Sequence, residues 1–359
     1  MPVRREVMRR RITKILRVSL IITLIMILFA LFFPTWTPNI EGEQSISELG
    51  QVEINGAGHE IMIRGVDSSN PILIFVHGGP ACSEIPYVRK YQKELEKQFT
   101  IVHYDQRGSG KSYHFFEDYS NLTTDLLVED LLELTDYISE KLNQEKVLLV
   151  GHSFGTYIGM KAVAEAPEKY YAYIGIGQVA DVVQSELDSL EFTIEQAKRE
   201  GNSEDIEQLM LLQPTIEKGE ARTPRNLVRK YGGAARLIDD NKDYVTGFLF
   251  NSEYNGLDVI RYLRGIHITQ EALLNEGVKH NITNIVYQVD LPIFFGMGKF
   301  DYMTSVNAAK NYYDSLEAPI KDFVIFEESA HYPQFEEKEK FNEWINKIFD
   351  ELQNGASEL

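Results

Sequence analysis

Cysteine is almost missing from this chain: Cys82 is the only one in 359 residues. No internal disulfide can form, and Cys82 reads as a small core residue or a bystander with no catalytic role. Metal ligation is equally unsupported, because the eight histidines show no H-E-x-x-H or comparable spacing. There is no internal repeat and no low-complexity tract. Positive charge is scarce over most of the length. The net charge is −18, yet the first 17 residues carry Arg4, Arg5, Arg9, Arg10, Arg11, Lys14 and Arg17 against Glu6, so everything after them sums to −24. Such an acidic body argues against nucleic acid as a partner and would draw a cationic or amine-bearing substrate. What remains is an ordinary globular balance, 43% hydrophobic and 25% charged, ample for one large α/β domain with an insertion.

Behind the basic cluster, Val18 to Phe33 is an uncharged apolar run of 16 residues. That is short of the ~20 that cross a bilayer. Lys14 and Arg17 can snorkel at one end and Trp36 can sit at the interface at the other, so Ile12 to Trp36 is long enough. The basic cluster then predicts a cytoplasmic N-terminus and a catalytic body outside the cytoplasmic membrane. A cleaved signal peptide is the rival, but Phe29-Ala30-Leu31-Phe32-Phe33 offers no small-residue cleavage site. The expected organisation is a basic tail and anchor over 1–36 and a linker over 37–47. A first core segment over 48–180, a helical cap over 181–289 and a second core segment over 290–359 follow.

The rest of the chain is organised around Lys146-Val147-Leu148-Leu149-Val150, which runs into Gly151-His152-Ser153-Phe154-Gly155 and then a small-residue helical pattern. Strand, G-x-S-x-G and helix together form a nucleophile elbow. The serine sits on a tight turn, so the positions two residues away on each side must be small. Two more apolar strands end in glycine-bearing loops: Ile72–Val76 before His77-Gly78-Gly79-Pro80, and Thr100–Tyr104 before Asp105-Gln106-Arg107-Gly108-Ser109-Gly110-Lys111-Ser112. Gly50–Ile54 and Glu60–Gly65 read as a hairpin, Tyr87–Lys97 and Thr123–Leu142 as helices, and Tyr171–Val179 as a further strand. Strands alternating with helices predict a doubly wound, mostly parallel sheet, with ligands at the strands' carboxyl ends. All three glycine motifs fall there, which places them together.

From about Asp181 to Val289 the pattern becomes helical and charged, with Glu186–Glu200 and Glu204–Leu212 as helices and Pro214 and Pro224 as interruptions. A cap inserted after the sixth strand is expected. The sheet resumes at Ile293, and the last strand, Asp322–Phe326, precedes Ser329-Ala330-His331.

A serine hydroxyl needs a base within hydrogen-bond reach, and a carboxylate to fix the imidazole tautomer. In this strand order the members follow one another as Ser, Asp or Glu, His. Ser153, Asp301 and His331 fit, each just past a strand. Asp181, just after the preceding strand, is the rival acid, and Glu328 reads as a solvated loop charge. The oxyanion hole would come from the N–H groups of Phe154 and Gly79. Asp105 to Ser112 reads as a loop shaping the pocket floor, with Asp105 and Arg107 pairing with backbone or each other. It lacks the glycine spacing of a phosphate-binding loop.

Taken together, these motifs resemble the α/β-hydrolase superfamily, and within it the proline iminopeptidase branch of serine peptidases. His77-Gly78-Gly79-Pro80 is similar to that branch's HGGPG, Asp105 to Ser112 to its DQRG-x-G-x-S, Gly298-Lys299-Phe300-Asp301 to its acid loop, and Ala330-His331 to its terminal G-H. The resemblance covers Gly50 to the C-terminus and is weakest in the cap. It implies Ser153, Asp301 and His331 as a triad under a helical cap, acting through an acyl-enzyme on small peptides or amides without cofactor or metal. Two departures stand out: Ala81 replaces the fifth-position glycine, and Gly-His-Ser replaces Gly-Gly-Ser. Both keep a carboxylesterase or lipase-like activity open, with a catalytically idle envelope binding protein as the third alternative. The family holds the substrate's amino terminus with cap glutamates, for which Glu186, Glu191, Glu195 and Glu253 are available. The substrate's identity and the oligomeric state are not legible.

Overall fold

The structure, a computed structural model, describes residues 2–356. Among these, eight strands form one sheet: β1 (Ile46–Ile54), β2 (Ala57–Gly65), β3 (Ile72–Val76), β4 (Thr100–Tyr104), β5 (Val147–His152), β6 (Tyr170–Ile176), β7 (Ile293–Gly298) and β8 (Lys321–Phe326), in the spatial order β1-β2-β4-β3-β5-β6-β7-β8. β1 and β2 pair antiparallel across the two-residue turn at Asn55-Gly56, and β2 pairs antiparallel with β4. The remaining pairs are parallel. β3 and β5 are buried along their whole length, as near-continuous apolar runs require in a sheet covered on both faces. The chain leaves β3 toward β4 on one side and returns to β5 on the other, so the strand order reverses between β3 and β5. A crevice opens at such a reversal, outside the carboxyl ends of the strands.

The helices are α1 (Pro2–Phe32), α2 (Ile85–Val88), α3 (Thr124–Leu142), α4 (Phe154–Glu165), α5 (Val182–Arg199), α6 (Ser203–Ile216), α7 (Arg225–Lys230), α8 (Asp240–Phe250), α9 (Gly256–Lys279), α10 (Ile282–Ile285), α11 (Val306–Ser315), α12 (Pro333–Glu336) and α13 (Lys338–Ala356). α3 starts where the Thr123 hydroxyl accepts the Leu126 N–H, and it ends at left-handed Asn143. It covers one face of the sheet with α4. α13 covers the other through Phe341, Trp344, Ile345 and Ile348. α5 to α10 fill the interval between β6 and β7.

Two sequence expectations fail locally. Tyr87–Lys97 is not one helix: α2 spans a single turn, and a 3₁₀ turn at Leu95–Lys97 follows irregular chain. Tyr87 and Tyr91 both pack on Phe335 while Leu95 joins a different cluster, so the apolar spacing reflects packing rather than one helical stripe. Pro214 does not interrupt a helix. It sits inside α6, near its end, where the lost bond is one of few. The start of the expected linker over 37–47 is bonded to the body: Arg64 Nη1 donates to Thr37 Oγ1 and to the Pro38 carbonyl, both at 2.6 Å, and Trp36 N, just before it, donates to the Ser252 carbonyl at 2.9 Å.

α1 contains the one helix segment, among the described residues, that is long and apolar enough to cross a membrane: Arg4–Phe32, mean hydropathy 2.7, none of it buried.

Candidate active site

Ser153 takes φ +54° and ψ −125°, a conformation that costs a non-glycine residue of order 1–3 kcal/mol. Its surroundings enforce it. Ser153 N donates to the Ile176 carbonyl at 2.9 Å, tying the turn to the end of β6. A Cβ at Gly151 would come within 2.8 Å of Thr156 Cα, and one at Gly155 would run into the Val76 carbonyl. Phe154 then opens α4, so its N–H has no acceptor within the helix and points with the other first-turn amides toward the site.

The loop after β3 passes directly over this turn. A Cβ at Gly78 would lie 2.7 Å from Ser153 Cβ, and Gly79 adopts φ +115°. Sequence reasoning singled out Gly79; the residue pressed on the serine is Gly78. The Asp105–Ser112 loop does not line the cavity beside Ser153 but stands one layer behind it. Gln106 N donates to His77 Nε2 at 3.1 Å, Gln106 Nε2 donates to the His77 carbonyl at 2.7 Å, and Ser109 Oγ lies 3.1 Å from His77 Nε2. An N–H donating into Nε2 fixes His77 as the Nδ1–H tautomer, which bonds the Gly78 carbonyl at 2.9 Å. Burial holds its pKa below the usual histidine value, in keeping with a neutral ring. Asp105 and Arg107 pair with backbone and not with each other: Asp105 accepts Lys111 N and also the Tyr254 hydroxyl, while Arg107 Nη2 donates to the Asn55 carbonyl at 2.9 Å and the guanidinium forks onto Asp130 at 2.7 and 2.8 Å.

His331 Nδ1 lies 2.8 Å from Asp301 Oδ2. Asp301 is fully buried, and it also accepts Met303 N and Thr304 N at 2.9 Å on Oδ1 and Thr304 Oγ1 at 2.8 Å on Oδ2. Four donors hold this carboxylate in one orientation. The loop carrying His331 is held by two acids that the sequence presents as an ordinary solvated pair. Glu336 accepts Ala330 N at 2.6 Å; Glu337 accepts Glu328 N at 3.0 Å and Ser329 N at 2.9 Å. His331 N donates to the Ala234 carbonyl at 3.0 Å, so the segment after α7 also fixes it. Glu328 itself is exposed. Asp181 is elsewhere: its side chain caps α5 through Gln184 N at 2.8 Å and accepts Asn281 Nδ2 at 2.9 Å.

Ser153 and His331 meet at one wall. A Cβ at Gly177, next to the Ile176 that binds Ser153 N, would lie 3.0 Å from His331 Cε1. Among the described residues no hydrogen bond joins Ser153 Oγ to His331 Nε2. Bonds of this kind tighten when substrate arrives. Both residues line a cavity of about 720 Å³ together with Gly79 and Phe154.

His152, which the sequence offered only as part of the elbow, makes a second buried pair. Its Nδ1 lies 2.7 Å from Glu84 Oε1 and its Nε2 3.0 Å from the His331 carbonyl. Burial alone would lower its pKa, but the Glu84 carboxylate outweighs that and the net direction is up.

A profile of the alpha/beta hydrolase fold matches residues 71–338. The chain belongs to the alpha/beta hydrolase family. A probable aminopeptidase of Bacillus subtilis, YbaC, is 30% identical over 311 residues, covering 86% of this chain and 98% of that relative. A proline iminopeptidase of Saccharolobus solfataricus is 28% identical over 335 residues, covering 85% and 93%. Among solved structures, that of proline iminopeptidase from Mycobacterium smegmatis superposes with a TM-score of 0.63 at 15% identity, over 86% of this chain and all of that one. This member of the family is a hydrolase with aminopeptidase-like relatives. Of its cap glutamates, Glu186 lines the cavity but is paired with Arg225 and accepts Thr223 N at 2.9 Å. Glu191 and Glu195 are exposed, and Glu253 is buried against Arg89 at 2.8 Å.

Proposed function

We propose that this hydrolase works by acyl transfer to Ser153, with His331 as general base and Asp301 orienting it, and that its substrates are short peptides or small amides cut at the amino-terminal residue. The observation that carries the reading is the His331–Asp301 bond, saturated by backbone donors, on the same cavity wall as a serine held at φ +54°. Ser153 Oγ attacks the carbonyl carbon and its proton passes to His331 Nε2. The N–H groups of Gly79 and Phe154 receive the oxyanion. Collapse breaks the C–N bond, and the leaving amine takes the proton from His331. Water, deprotonated by the same imidazole, then releases the acyl group and restores the serine. The helices of 181–289 act as a cap over this site. α1 anchors the protein in the membrane with its basic end cytoplasmic and the hydrolase outside.

A second reading, an esterase acting on small acyl esters, is favoured by one observation. Both carboxylates of the cavity wall are already matched, Glu84 by His152 and Glu186 by Arg225, while Arg222 on the same wall makes no ion pair among the described residues. An ammonium would have to displace Arg225 to reach Glu186. A fluorophosphonate probe should label the full chain and not Ser153→Ala. On that footing, aminoacyl anilides with free and blocked amino groups are compared with butyryl and hemisuccinyl esters. Faster turnover of the free aminoacyl anilides supports the peptidase; indifference to the amino group with preference for the esters gives the esterase.

A further inference from the structure

α8 carries two apolar faces. Its inner side holds Tyr244 and Phe248, packed on Tyr87 and Tyr262, together with Asp240, 5% exposed and paired with Arg229, and Asp243, 8% exposed and taking Lys90 and Tyr91. Its outer side leaves Val245 56% exposed, Leu249 68% and Phe250 82%. Lys242, Val245 and Leu249 follow one another at helical spacing, so the outer stripe runs from a cation to an apolar end. In water this arrangement is unfavourable at about 25 cal/mol per Å² of exposed apolar surface. The buried carboxylates on the inner side, each paired with a partly exposed cation, make the orientation specific.

The apolar end of α8 lies where the anchor helix joins the body. Trp36 N donates to the Ser252 carbonyl at 2.9 Å, two residues beyond Phe250. Asn255 Nδ2 donates to the Phe33 carbonyl at 3.0 Å, and a Cβ on Gly256 would sit 2.9 Å from the Ala30 carbonyl. α1 therefore packs on the start of α9. α9 continues the exposed apolar surface with Ile260 at 42% and Leu263 at 59%. Val245 and Leu263 also line the cavity that holds Ser153.

From this arrangement we infer that the outer face of α8 and the adjoining turns of α9 rest in the lipid interface, so that the mouth of the active-site cavity opens on the bilayer surface. The inference rests on α1 being a membrane anchor. The partner is a phospholipid surface: Trp36 sets the depth, Leu249 and Phe250 enter the acyl boundary, and Lys242 reaches the headgroups. A substrate dissolved in the membrane would then reach the cavity past Val245 and Leu263 without crossing water.

The test uses the full chain in nanodiscs, with environment-sensitive labels on cysteines placed singly at Leu24, Phe250 and Glu204, and the unsubstituted chain as background for Cys82. Lipids brominated along the acyl chain should quench the labels at 24 and 250 and leave that at 204 untouched. Quenching at 24 with a water-like label at 250 keeps the anchor and overturns the docking. A label at 250 that is shielded without lipid quenching, and only as protein concentration rises, assigns the face to a second copy and overturns it too. No quenching at 24 removes the anchor reading and the inference with it. As a second arm, the double variant Leu249→Glu, Phe250→Glu should lower turnover of a long-chain ester dissolved in vesicles by about tenfold or more, and leave a water-soluble acetate ester within about twofold. Equal loss on both esters counts against docking.

Discussion

Two buried histidine–carboxylate pairs stand side by side in this protein, with ring centroids 4.9 Å apart. In each, Nδ1 meets a carboxylate oxygen, at 2.8 Å for His331 and Asp301 and at 2.7 Å for His152 and Glu84. What separates them is the other nitrogen. His152 Nε2 faces the His331 carbonyl at 3.0 Å, so both of its nitrogens are engaged and neither is open to a serine proton. His331 spends one nitrogen on Asp301 and lines the cavity, so its Nε2 is available to a serine proton. The same two residue types therefore give the proposed base in one place and a strut in the other. The strut holds the main chain of the base.

If that division is right, the acids should fail differently. Asp301→Asn leaves His331 in the wrong tautomer and should lower kcat by about 10⁴-fold with KM little changed. Asp181→Asn keeps a side-chain oxygen for the start of α5 and should stay within about threefold, with stability little changed. Steady-state kinetics on one reactive ester decide the point. The reverse ranking would return the acid to the position after β6.

Glu84 sharpens the contrast. Glu84→Leu breaks a buried pair by removing one partner and should cost about 3–5 kcal/mol in chemical denaturation. It should also slow turnover by about 10–100-fold through kcat, because the His331 main chain loses its fixed support. Glu84→Gln should recover most of both, since an amide N–H can donate to Nδ1 of a neutral ring whose Nε2–H still reaches the His331 carbonyl. A Gln variant as impaired as Leu would mean that the charge matters, and not the bond.

A third buried histidine has no carboxylate to hold its proton. His103 Nε2 meets the Gln92 amide oxygen at 2.8 Å, and burial drives its pKa down to about 4 from 6.5. The unfolded chain therefore binds the proton first as pH falls. The stability that His103 contributes is fully present above pH 6.5 and is lost between 6.5 and 4, by about 3 kcal/mol. Urea titrations across that window should show the loss, and His103→Gln should reduce it to the share left by His77, whose pKa burial also lowers. His152 should add nothing of this kind, because its pKa is shifted upward.

The contrast between the pairs also marks what the sequence could convey. Ser153, Asp301 and His331 were legible because each follows a strand, and a parallel sheet brings strand ends together whatever the distance along the chain. The helix–strand order and the extra helices between β6 and β7 were legible for the same reason, through apolar period and length. Glu84 was not, since it belongs to a segment that reads as the approach to a helix and instead turns inward. Glu336 and Glu337 look like surface charge because nothing local says that two main-chain loops will converge on them. The Asp105–Ser112 loop was rightly noticed for its glycines but set one layer too close to the substrate, since periodicity carries no information about which of two stacked loops is in front.

One departure from the family pattern separates the two carboxylate loops by a smaller amount. Among the described residues the Asp301 loop has no residue at positive φ, whereas the chain approaching Glu84 passes through Ala81 at φ +63°, buried at 3% exposure. A left-handed alanine carries about 1–2 kcal/mol of steric cost, and glycine removes it while adding some freedom to the unfolded chain. Ala81→Gly should therefore raise stability by about 1 kcal/mol or slightly less, read as a shift of the denaturation midpoint at constant slope. Ala81→Val, which cannot take the conformation without larger strain, should move the midpoint the other way. If both variants destabilise, the Ala81 methyl is packed to advantage against its buried neighbours, and the Glu84 loop carries no more strain than the loop of Asp301.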